Sequence, residues 1–373
     1  MDAHSSAAKD FTLKITAMKF LLAAGGTGGH VIPALVVARE LHARRPNTRV
    51  LFVGTAKGVE NRLAPEAGFP LELIAVSAWQ GQSVAARLRN LLGAPRALWQ
   101  ASRILQRFQP DAVLGVGGYA SGPVLLAAGV AGIPLAVLEP NAVPGMANRL
   151  LAPFVRRALL AFPETASFFR PSTALVVGIP VRREFFEIAP RRHGSSINVL
   201  IFGGSQGAQS LNRAAIEALP KLESLAGELR IVHQTGQNEY NAVREAYAKF
   251  AIPAEVLPYI ENMPERFASA DLVISRAGAN TVAELAAAGK AAILVPFPFA
   301  ADQHQLRNAE ALANAGAARL ILNRDLNGET LTAAVREIRE HPETLERMEE
   351  RIRPFARPDA ARRIADELER LAR

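Results

Sequence analysis

One histidine stands directly behind a run of glycines, in Gly25-Gly26-Thr27-Gly28-Gly29-His30. Glycines carry no Cβ, so their backbone N–H groups can approach a ligand closely. The start of a helix favours an anion or a developing negative charge. An imidazole placed there can accept a proton near neutral pH. The same residues also fit a tight turn whose histidine caps the helix. The pattern departs from the dinucleotide signature GxGxxG: counted from Gly26, the third residue is Gly28 but the sixth is Val31. It does not match the GxxxxGK[ST] phosphate loop either.

A second turn, Gly203-Gly204-Ser205-Gln206-Gly207, offers amides and a hydroxyl at another helix start, a cradle suited to a diphosphate. A third, Ser275-Arg276-Ala277-Gly278-Ala279-Asn280-Thr281, opens a helix bearing Glu284. A carboxylate one turn into such a helix can accept both hydroxyls of a ribose. As an ordinary first-turn acid it would serve the helix dipole instead. Arg182, in Gly178-Ile179-Pro180-Val181-Arg182, can neutralise phosphate or form a structural ion pair. There is no Asp-x-Asp, and the carboxylates lack metal-ligand spacing, so neither a metal nor a cofactor is expected. With no cysteine, disulfides, thiolate zinc sites and cysteine nucleophiles are excluded.

These residues need elements to position them. The apolar run 20–24 feeds the first glycine turn, and a helical pattern follows over 32–41. The run 197–202 feeds the second, with a helical pattern over 211–219. Strand, glycine turn and helix form the opening unit of a doubly wound α/β domain, and its recurrence predicts two in tandem. Short apolar runs at 50–53, 112–116, 135–138, 175–177, 229–232, 272–274 and 292–295 read as further strands with helices between most of them, hence parallel sheets. The polar stretch 189–196 suggests the division. The expected units are a disordered tail over 1–17, a first domain over 18–188, a second over 189–352, and a helical segment over 353–373, broken at Pro354 and Pro358, that packs back toward the first.

The 373 residues are 49% hydrophobic, enough for two ordinary cores, and the formal net charge is +8. A basic balance suits a nucleic acid, an anionic membrane or a phosphorylated substrate. No zinc-finger spacing, RNP-type strand or concentrated basic arm supports nucleic acid. The residues before Met18 do not form a signal peptide. The longest nearly apolar run, 122–138, falls short of the roughly 20 residues of a membrane span and reads as a buried helix followed by a strand. Between Trp79 and Phe108, the apolar Trp79, Leu88, Leu91, Leu92, Leu98, Trp99, Ile104 and Leu105 alternate with Arg87, Arg89, Arg96, Arg103 and Arg107, without one acid. That suits an anionic membrane surface, and it also suits a core helix with a solvated arginine face.

Six motifs in order carry a resemblance: Gly25 to His30, Gly117-Gly118-Tyr119-Ala120-Ser121-Gly122-Pro123, Gly178 to Arg182, Gly203 to Ala208, Ser275 to Glu284, and Pro296-Phe297-Pro298-Phe299-Ala300-Ala301-Asp302-Gln303-His304-Gln305. From Met18 to the C-terminal helices the chain resembles the bacterial cell-wall N-acetylglucosaminyltransferases. The resemblance implies a GT-B fold, two Rossmann-like domains facing a cleft. It implies transfer of GlcNAc from UDP-GlcNAc to the C4 hydroxyl of the muramoyl sugar of lipid I, with inversion, to give lipid II for peptidoglycan. It implies a peripheral place on the cytoplasmic face of the cell membrane, against anionic lipids, and a part in cell shape and division. Matching positions imply donor contacts by Thr27, Gly28, Gly29, Asn141, Arg182, Ser205, Ile260, Ala279, Asn280, Thr281, Val282, Ala283, Glu284 and Gln305. His30 falls on the position of a candidate base, and Tyr119 and Asn212 fall in motifs near the acceptor or its loops. Two departures stand out: Glu139-Pro140-Asn141 replaces the usual Glu-Gln-Asn, and Gln303 competes with Gln305 for one donor position. Rival readings are a transferase for a glycolipid or natural product, a UDP-GlcNAc 2-epimerase, and a basic nucleic-acid-binding protein.

Overall fold

The computed structural model describes residues 17–76, 84–194, 196–300 and 303–373, with backbone alone over 84–93. Two parallel sheets carry the fold. The first comprises β1 (Lys19–Ala24), β2 (Arg49–Gly54), β3 (Leu71–Leu73), β4 (Ala112–Gly117), β5 (Leu135–Glu139), β6 (Arg157–Leu160) and β7 (Ala174–Val176), in the order β3-β2-β1-β4-β5-β6-β7. The second comprises β8 (Ile197–Phe202), β9 (Leu229–Gln234), β10 (Ala254–Leu257), β11 (Leu272–Ser275), β12 (Ala291–Leu294) and β13 (Arg319–Leu320), in the order β10-β9-β8-β11-β12-β13. The first six strands of each sheet thus share one winding order. Chain order reverses between β1 and β4, and again between β8 and β11, and ligands of such sheets bind beyond the strand ends at these points.

The central strands are apolar along their whole length because helices cover both faces. Leu22 pairs with Phe52 on one side and Leu114 on the other. The first sheet is covered by α1 (Gly28–Arg44), α2 (Glu60–Glu66), α3 (Val84–Phe108), α4 (Ser121–Val130) and α5 (Met146–Leu151). The second is covered by α6 (Arg183–Phe186), α7 (Gln209–Leu222), α8 (Tyr240–Tyr247), α9 (Met263–Ser269), α10 (Ala279–Ala288), α11 (His304–Asn314), α12 (Gly328–Glu340) and α13 (Glu343–Ile352). The register of β1 against β4 slips between Ala23 and Ala24, where the strands run out into the first glycine turn. A slip of this kind re-aims the residues that follow.

Val177 still packs in the first core, while Phe185 is fully buried in the second, edge-on to Phe267 at 5.0 Å between ring centroids. The chain therefore crosses before the polar stretch 189–196, where the sequence suggests the division. That stretch is anchored to the second domain by His193, which lies 3.3 Å from Asp271 and 3.4 Å from Glu349. The last helix, α14 (Ala360–Leu371), returns to the first core through Ile364, Ala365 and Leu368, and Arg44 binds Asp366 at 2.7 Å. The two crossings touch: a Cβ on Gly178 would stand 2.6 Å from Cγ of Arg357, and Gly178 has φ +86°. The tail expected over 1–17 lies outside the described residues except for Ala17.

The arginine-rich stretch divides. Leu98, Ile104 and Leu105 pack in the core between α3 and the first sheet, while Trp99 is exposed beneath the Arg103 guanidinium, 5.2 Å from its ring centroid. Trp79 and the side chains of Arg87, Leu88, Arg89, Leu91 and Leu92 lie outside the described residues. Among the described helices none is long and apolar enough to cross a membrane.

Candidate active site

The glycine motifs sit at the carboxyl ends of the four strands that flank the two switch points. Gly25 to His30 follows β1, Gly117 to Pro123 follows β4, Gly203 to Ala208 follows β8, and Arg276 to Gly278 follows β11. The first, third and fourth of these wall a cleft of about 830 Å³ between the two domains. Thr27, Gly28, Gly29, His30 and Asn141 line it from the first domain. Arg182, Ser205, Ile260, Ala279, Asn280, Thr281, Glu284 and Gln305 line it from the chain crossing and the second domain. Two contacts cross the cleft. Asn280 Nδ2 donates to the Gly29 carbonyl at 3.1 Å, and Arg62 stacks on the ring of Tyr259 at 5.9 Å.

His30 occupies the first turn of α1. Burial lowers its pKa, and the Gly25 carbonyl and the Glu60 carboxylate offset this in part. It is therefore neutral at pH 7 and able to take a proton. Its Nδ1 is buried without a partner at hydrogen-bonding geometry. Gly117 packs so closely on the ring that a Cβ there would lie 2.5 Å from Cδ2 of His30. A larger residue at 117 would displace the imidazole.

Asn141 is presented by a buried carboxylate. Glu139 Oε1 accepts from the Asn141 backbone and side chain at 3.0 and 3.1 Å, while Oε2 accepts from Gly145 N and Asn148 Nδ2 at 2.9 and 2.8 Å. Burial raises the Glu139 pKa against the pull of these four bonds. Proline at 140 leaves this arrangement intact, because only the residues on either side of it take part.

On the facing wall, Arg182 stands 3.6 Å from Glu284. Burial raises Glu284 to about 7 despite that guanidinium. Ser205 projects from a turn too tight for side chains: a Cβ on Gly207 would meet the Thr235 carbonyl at 1.9 Å. Gln234 holds the turn by donating to the Gly204 carbonyl at 2.8 Å, and accepts from Ile260 N at 2.8 Å. Gln305 lines the cleft and accepts from Phe297 N at 3.0 Å, whereas Gln303 does not line it.

Four expected residues lie elsewhere. Val282 packs in the core beneath α10, and Ala283 does not line the cleft. Tyr119 is exposed on the turn after β4, beside Gly26 but outside the cleft lining. Asn212 lies in the interior of the second domain. The fourth residue of α7 faces the sheet, and its side chain is buried between Thr235 O at 2.9 Å, Glu239 Oε2 at 2.5 Å and His233 Nε2 at 3.1 Å. Its side chain is satisfied inside the second domain and does not line the cleft.

Sequence reading missed Glu60, Gln234 and Arg276. Arg276 donates to the carbonyls of Val295 and Pro296, to Asn323 and to Ser210, and burial lowers it only to about 10, so it stays charged. It ties the turn after β12 to the start of α7. The signal available was a lone arginine within an otherwise small-residue turn.

Residues 20–160 match the glycosyltransferase family 28 N-terminal domain, and residues 198–364 match its C-terminal domain. The UDP-N-acetylglucosamine–N-acetylmuramyl-(pentapeptide) pyrophosphoryl-undecaprenol N-acetylglucosamine transferase of Solibacter usitatus (strain Ellin6076) is 47% identical over 362 residues, covering 97% of this chain and 98% of that one. The crystal structure of Acinetobacter baumannii MurG superposes with a TM-score of 0.74 at 35% identity, over 95% of this chain and 99% of that one. A UDP-GlcNAc 2-epimerase from Neisseria meningitidis, bound to UDP-GlcNAc, shares the fold with a TM-score of 0.68 at 15% identity, over 95% of this chain and all of that one. With relatives this similar over nearly their whole length and both family 28 domains in place, the chain belongs to the MurG family of N-acetylglucosamine transferases.

Proposed function

We propose that the chain moves GlcNAc from UDP-GlcNAc to the C4 hydroxyl of the muramoyl sugar of lipid I, with inversion, and so makes lipid II. The observation that carries this reading is the cleft itself, with a neutral, half-buried histidine on one wall and Arg182, Ser205 and Glu284 on the other. Glu284 takes the ribose hydroxyls. Arg182, Ser205 and the amides of the second glycine turn take the diphosphate. Thr27, Gly28, Gly29, Asn141, Ile260, Gln305, Ala279, Asn280 and Thr281 complete the donor surface.

In the transfer, the acceptor hydroxyl gives its proton to His30. The oxygen's electron pair then forms the bond to C1 of GlcNAc, on the face opposite the diphosphate. The bond from C1 to the phosphate oxygen breaks, and its pair leaves with UDP. The charge on that leaving group grows during the step, so preorganised donors around it lower the barrier. Inversion follows from attack opposite the leaving group.

The acceptor is lipid-linked, so the first domain docks on a membrane in this reading. Leu126 and Val130 on α4, Met146 and Leu150 on α5, and Phe154 just beyond are exposed, and Arg149 shares α5 with two of them. α3 packs against α4, which brings the exposed Trp99 and Arg103 onto the same domain. Apolar side chains fringed by arginine suit the cytoplasmic leaflet and its anionic lipids. Peptidoglycan supply then connects the enzyme to cell shape and division.

The test is release of UDP from UDP-GlcNAc with and without a lipid I analogue. Release that requires the analogue and yields a disaccharide supports the reading. Conversion of UDP-GlcNAc without any acceptor would point to an epimerase instead. Flotation with anionic but not neutral liposomes supports docking, and binding to neither would count against it.

A further inference from the structure

A carboxylate lies buried under the first glycine turn, and the mechanism above gives it no part. Glu60, at the start of α2, has no exposure to solvent. Its Oε1 accepts from Thr55 N at 2.7 Å and Thr55 Oγ1 at 3.1 Å, and its Oε2 accepts from Gly26 N at 2.9 Å. Three glycines make the space for it. A Cβ on Gly25, Gly54 or Gly58 would come within 2.8, 2.3 or 1.9 Å of the Glu60 side chain. The turn is fastened a second time where Val59 N donates to the Gly26 carbonyl at 3.3 Å. Burying an acid is costly unless it is fully hydrogen-bonded. Both oxygens receive N–H groups, which a glutamine with its single acceptor could not match, and the charge this carboxylate brings lies next to the first turn.

The Gly26 N–H bonded to Glu60 and the Gly25 carbonyl belong to one peptide unit, and in a trans peptide the two groups point in opposite directions. The carbonyl is the backbone group that acts on the His30 ring as an acceptor. Two turns meet at that ring, the one after β1 with the Gly25 carbonyl and the one after β4 with Gly117, and the Glu60 carboxylate of α2 acts on it from beneath the first turn. Of these groups only Glu60 is charged. We propose that Glu60 is a positioning residue for the transfer. Through the Gly25–Gly26 peptide it holds the carbonyl on His30, and its charge stabilises the imidazolium formed when the acceptor gives up its proton. The proposal rests on the reading of His30 as the base. Catalytic hydrogen bonds in ligand-free sites are often long and tighten only with substrate, which suits the unpartnered Nδ1.

The test is Glu60→Gln, which removes the charge, keeps one oxygen acceptor and turns the other into a donor. Turnover with a lipid I analogue should fall about 10- to 100-fold, the usual cost of losing a group that supports a functional side chain. Donor KM should stay within about threefold, because the interaction matters only once charge develops. NMR of histidine-labelled protein should show the His30 titration moving to lower pH, since one of the two influences raising it is gone. In the His30→Ala background the same change should cost little more, whereas a purely structural Glu60 would cost as much as in the parent. Unchanged turnover together with an unchanged His30 titration in folded Glu60→Gln overturns the proposal. Should that variant fail to fold, Glu60→Asp keeps the charge and draws it back from Gly26. Its turnover should then fall and the His30 titration move to lower pH, because the Gly25 carbonyl is no longer held, and parental turnover would overturn the proposal. The two ideas fail separately: normal turnover in His30→Ala removes the base, yet the His30 titration still reports whether Glu60 acts on it.

Discussion

The turn after β1 and the turn after β8 occupy the same place in two sheets with the same winding order, and they are built from the same strand, glycines and helix. What lies beneath them differs. Under the first is an acid, Glu60, with an imidazole beside it. Under the second is a neutral amide, Gln234, which donates to the Gly204 carbonyl and accepts from Ile260 N. A buried negative charge favours a side chain that must become a cation, and it repels a diphosphate. A neutral amide fastens the second turn without opposing the anion that lands on its N–H groups. In the proposed reading, one architectural unit, used twice, is specialised for proton transfer by a charge below one turn and for anion binding by its absence below the other.

The largest effect that sharpens this contrast belongs to the first turn. His30→Ala should lower turnover about 10²- to 10⁴-fold, the usual share of a general base. UDP-GlcNAc binding, measured by calorimetry, should be little changed, because the anion sits on the other turn. A normal rate would remove His30 from the chemistry.

The next test carries the charge across. Gln234→Glu places an acid under the second turn, strips the donor from the Gly204 carbonyl and sets a charge below the diphosphate. A lost buried bond plus repulsion costs about 1–3 kcal/mol, so the donor Kd should rise about 10- to 100-fold. Affinity equal to the parent's would show that the charge below the turn is immaterial, and the comparison would collapse.

The two turns were legible in the sequence to different depths. Their glycines and strands stood out because buried parallel strands are continuous apolar runs and the turns need residues without Cβ. The acid and the amide beneath them did not. Glu60 reads as an ordinary first-turn acid of a surface helix, and its burial depends on Gly25, 30 or more residues away, as well as on nearby Gly54 and Gly58. Gln234 is the last residue of a strand whose sequence, Leu-Arg-Ile-Val-His-Gln, does not show which end meets a ligand. β3, β6, β10 and β13 also escaped notice. Three of them are short strands of two to four residues at sheet edges, and β6 opens on Arg157, which follows Arg156. Asn212 misled because it shares a helix with the second turn while facing the sheet, and spacing from a motif does not fix the face.

The smallest effect concerns Glu284, the acid paired with Arg182 in the cleft. Glu284 escapes the argument against a negative charge only because it is paired with Arg182 and is held near neutrality, at about 7, by burial. To accept two ribose hydroxyls it must be ionised. The complex should therefore hold it at a lower pKa than the empty site does, and between those values the empty protein binds the extra proton. Linkage then fixes the sign: donor affinity is full above pH 7 and weakens as pH falls below it, by at most about tenfold per pH unit. UDP-GlcNAc suits the measurement because its diphosphate is capped on both sides and keeps its charge over this range. Calorimetry from pH 5.5 to 8.5 should show the decline on the acid side, and Glu284→Gln should bind more weakly but with a flat profile. A parental profile that is already flat would mean that Arg182 keeps Glu284 ionised throughout, so that both walls of the cleft carry a standing negative charge and the contrast between them lies in placement alone.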